Sequence, residues 1–274
     1  MALHPVRSAL TAGGRRRAYR FSRVDAPHPP GGPFLCDQAS GSRYNQPPQS
    51  GSEPILVQSA EQSIDAAPLL QAVGLGCERD DRTLFRRLDF AVQGGELLEV
   101  RGRNGSGKTT LLRMVAGLGE PDEGELRWRG RPLRRMRAEL GSELCYLGHL
   151  PAIKETLTAR ENLRFAMQLK GCAASERIDA ALAESGLRGF EDLPCRQLSA
   201  GQRRRVALAL LRLLPARLWI LDEPFTALDR QAVAQLEQWI EAHRAQGGAV
   251  LLTTHQPLGL GSAWRTLTLG ESAA

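Results

Sequence analysis

Gly102-Arg103-Asn104-Gly105-Ser106-Gly107-Lys108-Thr109 fits the spacing GxxxxGK[ST], with Thr110 leading into an apolar run. Each residue type in that spacing has a task in holding phosphate. Glycines let the chain curl so that successive N–H groups and the next helix N-terminus face an anion. Lys108 can then reach the β- and γ-phosphates, and Thr109 offers its hydroxyl to Mg²⁺. A second constellation, Leu218-Trp219-Ile220-Leu221-Asp222-Glu223-Pro224, puts two acids at the end of four apolar residues. The apolar run predicts a central strand that delivers Asp222 to its polar end, where it holds Mg²⁺ through water. Glu223, one position on, is placed to orient and deprotonate an attacking water, a role that contributes ~10²–10⁴-fold to rate. Phosphate loop and acid pair together predict a nucleoside triphosphatase.

The stretch Leu-Ser-Ala-Gly-Gln-Arg-Arg-Arg, residues 198–205, lies between these two motifs, about twenty residues before the acids. With it the chain resembles the ATP-binding-cassette (ABC) ATPases over residues 68–269. The resemblance implies an ATP–Mg²⁺ site closed by two subunits. Ser199, Gly201 and Gln202 would contact nucleotide bound to the partner's phosphate loop, so the working unit is a homodimer. It further implies that Thr-Ala-Leu-Asp, residues 226–229, is a loop carrying Asp229 at the dimer interface. His255, just after the apolar run 249–254, matches the family's histidine at the γ-phosphate. The aromatic that many relatives stack on adenine falls near Arg79, and arginine can also stack on a base. The three arginines 203–205 are expected on a solvated helix face rather than against nucleic acid.

Tyr146–Leu163 matches no generic chemical motif. ABC proteins carry here a loop whose glutamine senses Mg²⁺ and the attacking water and whose flanks touch the membrane partner. His149 stands at that glutamine's place. A histidine there, within a Tyr-Leu-Gly-His … Leu-Thr-Ala … Glu-Asn-Leu frame, resembles the haem-exporter-type ATPases of cytochrome c maturation, as do residues 76–85 and 102–113. This resemblance implies an integral-membrane permease partner (CcmB-like), cytochrome c maturation factors, no nucleic acid, and a peripheral place on the cytoplasmic face of the inner membrane. Export of haem and release of a haem-loaded chaperone fit the motifs equally. The alternatives are the ATPase of another small ABC exporter or a soluble non-transport cassette; the latter usually carries tandem cassettes or long coiled-coil insertions.

To hold these residues the chain needs alternating strands and helices. Apolar periodicity predicts strands at 96–100, around 125–130 and 143–149, at 218–221 and 249–254. It predicts helices at 110–118, 157–169, 176–185, 200–214 and 229–245. The fold class is therefore α/β with a mainly parallel sheet. The resemblance makes it a P-loop ABC ATPase core with a small antiparallel β subdomain and an inserted helical subdomain at about 158–214. Residues 67–274 are expected to form this domain. Residues 1–66, rich in Arg, Pro, Gly and Ser without apolar periodicity, are read as a disordered extension, its Arg-rich start weakly resembling a transit peptide and equally compatible with a translation start placed too far upstream.

Composition sets the bounds. The 274 residues are 42% hydrophobic and 24% charged, enough apolar content for one large core. The formal net charge of +6 comes almost wholly from arginine, the lysines being Lys108, Lys154 and Lys170. That ratio suggests GC-rich coding rather than an acidic partner. Five cysteines without CxxC spacing predict neither a disulfide framework nor a zinc site. The most apolar stretch, 206–221, is interrupted by Arg212, Pro215 and Arg217 and is shorter than the ~20 residues a membrane crossing needs.

Overall fold

The computed structural model describes residues 21–24, 67–80, 82–173 and 176–270, the first four by backbone alone. The chain runs from a short strand β1 (Phe21–Val24) to the long strands β2 (Leu70–Arg79) and β3 (Arg82–Val92), then β4 (Leu97–Gly102) and helix α1 (Lys108–Val115). Next come β5 (Glu123–Trp128), β6 (Arg131–Pro132), α2 (Arg137–Glu143) and β7 (Leu144–Leu147). Three helices follow, α3 (Ala159–Leu169), α4 (Ile178–Glu184) and α5 (Ala200–Leu213). The last part is β8 (Leu218–Asp222), α6 (Arg230–Ala245), β9 (Ala249–Thr253) and β10 (Trp264–Leu269).

One sheet has the order β1-β10-β4-β9-β8-β7, parallel throughout except for β1 against β10. The other, β3-β2-β5-β6, is antiparallel. β8 and β9 are buried at every position. A central strand covered on both faces needs a continuous apolar run rather than an alternating one, and both sequences supply it.

Three apolar clusters hold these layers. In the first, Leu111, Leu112, Met114 and Val115 of α1 are sandwiched between Leu98, Val100, Ile220 and Leu251 of the parallel sheet and Leu75, Phe85, Leu88 and Phe90 of the antiparallel one. In the second, Trp219, Leu221 and Leu252 on the opposite sheet face meet Leu208 and Leu211 of α5 and Leu236, Trp239 and Ile240 of α6. The third joins α3, α4 and α5 through Leu163, Met167, Leu182, Val206 and Ala209. Helix α5 thus contributes to two cores, one sheet-bound and one helical. Fully burying a side chain of this size contributes ~1.5–3 kcal/mol, so α5 is anchored from both sides.

Helix starts follow local chemistry. Thr158 and Ser199 each close a reciprocal capping box, with Glu161 on α3 and Gln202 on α5, and Asp229 caps α6 through Ala232 N–H. β2, β3, β6, α2 and β10 are additions to the elements expected from periodicity. Strand β1 corrects the reading of 1–66 as wholly unstructured. Its backbone pairs Phe21 with Leu267 through to Val24 with Trp264, satisfying the outer edge of β10. The rest of that segment lies outside the described residues. Among the described residues no helix is long and apolar enough to cross a membrane.

Candidate nucleotide site

Parallel strands deliver the residues that follow them to one rim of the sheet. The phosphate loop leaves β4, His149 lies two residues past β7, Glu223 follows the last residue of β8, and His255 lies two past β9. The sheet order β4-β9-β8-β7 makes these four carboxyl ends neighbours. They line a cleft of about 570 Å³ that gathers Asn104, Gly105, Gly107, Lys108, Thr109, Thr110, His149, Asp222, Glu223 and His255, with Arg79 and Leu84 from the antiparallel sheet.

The loop's glycines are required by its geometry. At Gly102 a Cβ would stand 2.5 Å from Ser106 Oγ and 2.7 Å from Leu269 O. Gly107 has φ 94°, in the left-handed region, and a Cβ there would lie 3.0 Å from Leu84 Cβ. Lys108 Nζ donates to Gly102 O at 2.8 Å and Arg103 O at 3.3 Å, which folds the ammonium back over the arch of the loop. Ser106 Oγ is buried without a hydrogen-bond partner.

Asp222, 2% exposed, is held from two strands. Thr109 Oγ1 donates to its Oδ2 at 2.8 Å and Thr253 Oγ1 to its Oδ1 at 2.7 Å. The second bond follows from register, since Asp222 and Thr253 are direct partners in the β8–β9 ladder. A carboxylate and a hydroxyl form an all-oxygen donor pair, which suits a small hard cation arriving with a polyphosphate.

Glu223 turns out of β8 at φ 50°, a left-handed conformation that costs a non-glycine residue ~1–2 kcal/mol. Its N–H donates to Thr253 Oγ1 at 3.0 Å. Its carboxylate Oε1 is buried without a hydrogen-bond partner, and His255 Nε2 lies 3.3 Å away. An acceptor left open beside the phosphate loop can take a proton from, or align, a water at the end of a bound nucleotide.

Other expected site residues stand elsewhere. Ser199 Oγ accepts from Gln202 N–H at 3.1 Å and Gln202 Oε1 accepts from Ser199 N–H at 2.9 Å, so both side chains cap α5. Gly201 is needed within its own chain, because a Cβ there would lie 2.6 Å from Ala227 O. Asp229 caps α6 and pairs with Arg205 Nη2, and its pKa is lowered, first by the Ala232 N–H and then by that arginine. None of these four lines the cleft. Arg79 does, while its Nη1 donates to Glu78 O at 2.9 Å and lies 3.7 Å from Asp122.

The arginine triplet departs from the solvated face expected of it. Arg203 lies 3.8 Å from Glu155, Arg205 reaches Asp229, and Arg204 is 4% exposed with its guanidinium turned inward. The physical reason is position. These residues follow the α5 cap, where the helix runs under the loop after β7 and the turn after β8, and buried carbonyls there need donors. Sequence reasoning missed Arg204, because a charge on a helix carries no mark of the face it occupies.

Comparison with known proteins agrees with this fold. The ABC transporter family model matches residues 85–226, from β3 through Thr226. The cytochrome c biogenesis ATP-binding export protein CcmA of Salmonella typhi is 56% identical over 207 residues, covering 75% of this chain and 99% of the relative. The chain belongs to the CcmA family of ABC transporter ATPases. The Pseudomonas putida KT2440 protein of the same name is 55% identical over 206 residues, with 75% and 98% covered. An ATP-binding subunit of an ABC transporter superposes with a TM-score of 0.63 at 30% identity, covering 68% of this chain and 79% of that one. A putative ABC transporter ATP-binding protein from Pyrococcus furiosus, TM-score 0.64 at 22% identity over 75% of this chain and 99% of its own, shares the fold. The chain is an ATP-hydrolysing ABC ATPase that binds ATP, and its family works as the peripheral ATPase of membrane exporters in cytochrome c biogenesis.

Proposed function

We propose that this chain is the energy-coupling subunit of an exporter in c-type cytochrome biogenesis, acting as a homodimer with an integral-membrane permease on the cytoplasmic face of the inner membrane. Its cargo in this reading is haem, free or on a chaperone. Gly102–Thr110 cradle the phosphates of ATP, with Lys108 swinging from its loop carbonyls to the β- and γ-phosphates. Thr109 and Asp222 hold Mg²⁺, which when bound offsets phosphate charge. Glu223 is the general base, His255 contacts the γ-phosphate, and His149 stands between nucleotide and permease. Arg79 faces the adenine. Ser199, Gly201, Gln202 and Asp229 act on the nucleotide of the second subunit, a role that fits their absence from the cleft of their own chain.

The observation that carries this reading is the open acceptor on Glu223 beside the Thr109–Asp222 pair. Glu223→Gln keeps the shape and removes the base. It should leave MgATP affinity intact, lower hydrolysis ~10²–10⁴-fold, and accumulate an ATP-bound dimer. Steady-state ATPase assays with nucleotide binding and size-exclusion chromatography read all three. Turnover at the wild-type rate would take the base assignment away from Glu223.

A further inference from the structure

Arg204 leaves the second turn of α5 and reaches five main-chain carbonyls. Nη1 donates to Gly148 O at 2.9 Å and His149 O at 3.2 Å. Nη2 donates to Asp222 O at 3.0 Å and Glu223 O at 2.7 Å, and Nε to Pro224 O at 3.3 Å. A guanidinium has five N–H donors in a fixed planar fork, and the acceptors match it one for one. Two acceptors belong to the loop after β7 and three to the turn after β8. No other side chain type could span both sets: lysine carries three donors on one nitrogen and glutamine two.

We propose that Arg204 is a positioning residue for ATP hydrolysis, fixing the backbone of His149 and of Asp222–Glu223 to each other and to α5. The inference rests on the nucleotide site proposed above. The two segments joined by the fork follow neighbouring strands and carry side chains that line the cleft, and beyond the Leu147–Leu221 pair no strand ladder ties one to the other. Glu223 sits at φ 50°, a conformation that persists only where its surroundings over-determine it, and the Nη2 bond to its carbonyl is one such constraint. The same side chain leaves a helix whose N-terminus carries Ser199 and Gly201. A shift of α5 on nucleotide binding is thereby transmitted to the base and to His149 in one motion. Burial lowers the Arg204 pKa, with the Asp222 and Glu223 carboxylates raising it again, and the group remains a cation.

The test uses the full chain with the reconstituted permease, carrying Arg204→Lys and Arg204→Gln, each alone and combined with His149→Ala. The expected result is a split. Affinity and KM for MgATP stay near wild type while kcat falls on the order of 10-fold or more, with lysine retaining more activity than glutamine. In the double variants the effect of His149→Ala shrinks, because its loop is already released, so the effects on kcat fail to multiply. An unchanged kcat in both single variants overturns the proposal. So do effects that multiply in the double variants, a kcat that falls only with the folded fraction read by thermal melting, or failure of both single variants to fold, each of which marks a purely structural arginine. Failure of the underlying site reading shows separately, as wild-type turnover in Glu223→Gln or no MgATP hydrolysis by the wild-type chain.

Discussion

His149 and Glu223 face one cleft from different strands, yet the chemistry asked of them differs. Glu223 needs a free acceptor and has one; His149 is an exposed residue whose backbone, rather than whose ring, is held in place. Its side chain is therefore free to answer to what docks beside it. His149→Ala should leave MgATP affinity unchanged, since Lys108, Thr109 and Asp222 are untouched. It should lower the permease-stimulated ATPase rate on the order of 10-fold, the low end of what a positioned polar group contributes. His149→Gln should recover much of that loss. ATPase rates with and without the reconstituted permease decide the matter, and equal stimulation in all three proteins would make His149 an ordinary loop residue.

At the scale of elements, Asn162 explains why the stretch 146–163 is so particular. This buried residue of α3 accepts from Lys154 N–H at 2.8 Å and donates to the carbonyls of Lys154 at 3.0 Å, Leu157 at 3.3 Å and Thr158 at 2.9 Å. One amide thus folds the loop back on the helix it leads into, while the Thr158–Glu161 box caps that helix. Asn162→Leu keeps the volume but strands a buried N–H and the carbonyls it served, at a cost of ~1–3 kcal/mol. Urea unfolding should show that loss, and a stability equal to wild type would mean that water serves the loop as well as the amide does. The capping boxes were legible as sequence patterns because their partners are three residues apart. Asn162 was visible only as a member of a family frame, since its carbonyl and N–H partners lie in a loop whose path is set by tertiary contacts and it also donates to Cys195 Sγ at 3.3 Å.

Across the whole molecule, one half-buried titratable group ties stability to pH. His243 on α6 stacks on Trp219 of β8 with ring centroids 3.9 Å apart, and burial pushes its pKa down to about 4. The unfolded chain protonates this imidazole near pH ~6.5. Between that value and about 4 the unfolded state therefore binds more protons than the folded one, so stability falls as pH falls through this window. His243→Gln should flatten the slope of melting temperature against pH from 7 to ~4 relative to wild type, and parallel curves would sink the assignment. The sequence by itself pointed to the motor: the phosphate loop and the acid pair are short contiguous motifs whose chemistry is written in residue type and spacing, and the α5 signature and His255 were legible through the resemblance to ABC ATPases. Helix and strand alternation likewise announced a parallel α/β sheet. Only the tertiary structure decided that four strand ends meet at one cleft, that the signature side chains stay outside it, and that β1 joins the sheet edge. It alone turned Arg204 from a surface charge into a five-bond clamp. The reason is physical: local motifs are fixed by neighbours along the chain, whereas strand order, the face a helix buries and the acceptors a side chain meets depend on contacts between residues far apart in sequence.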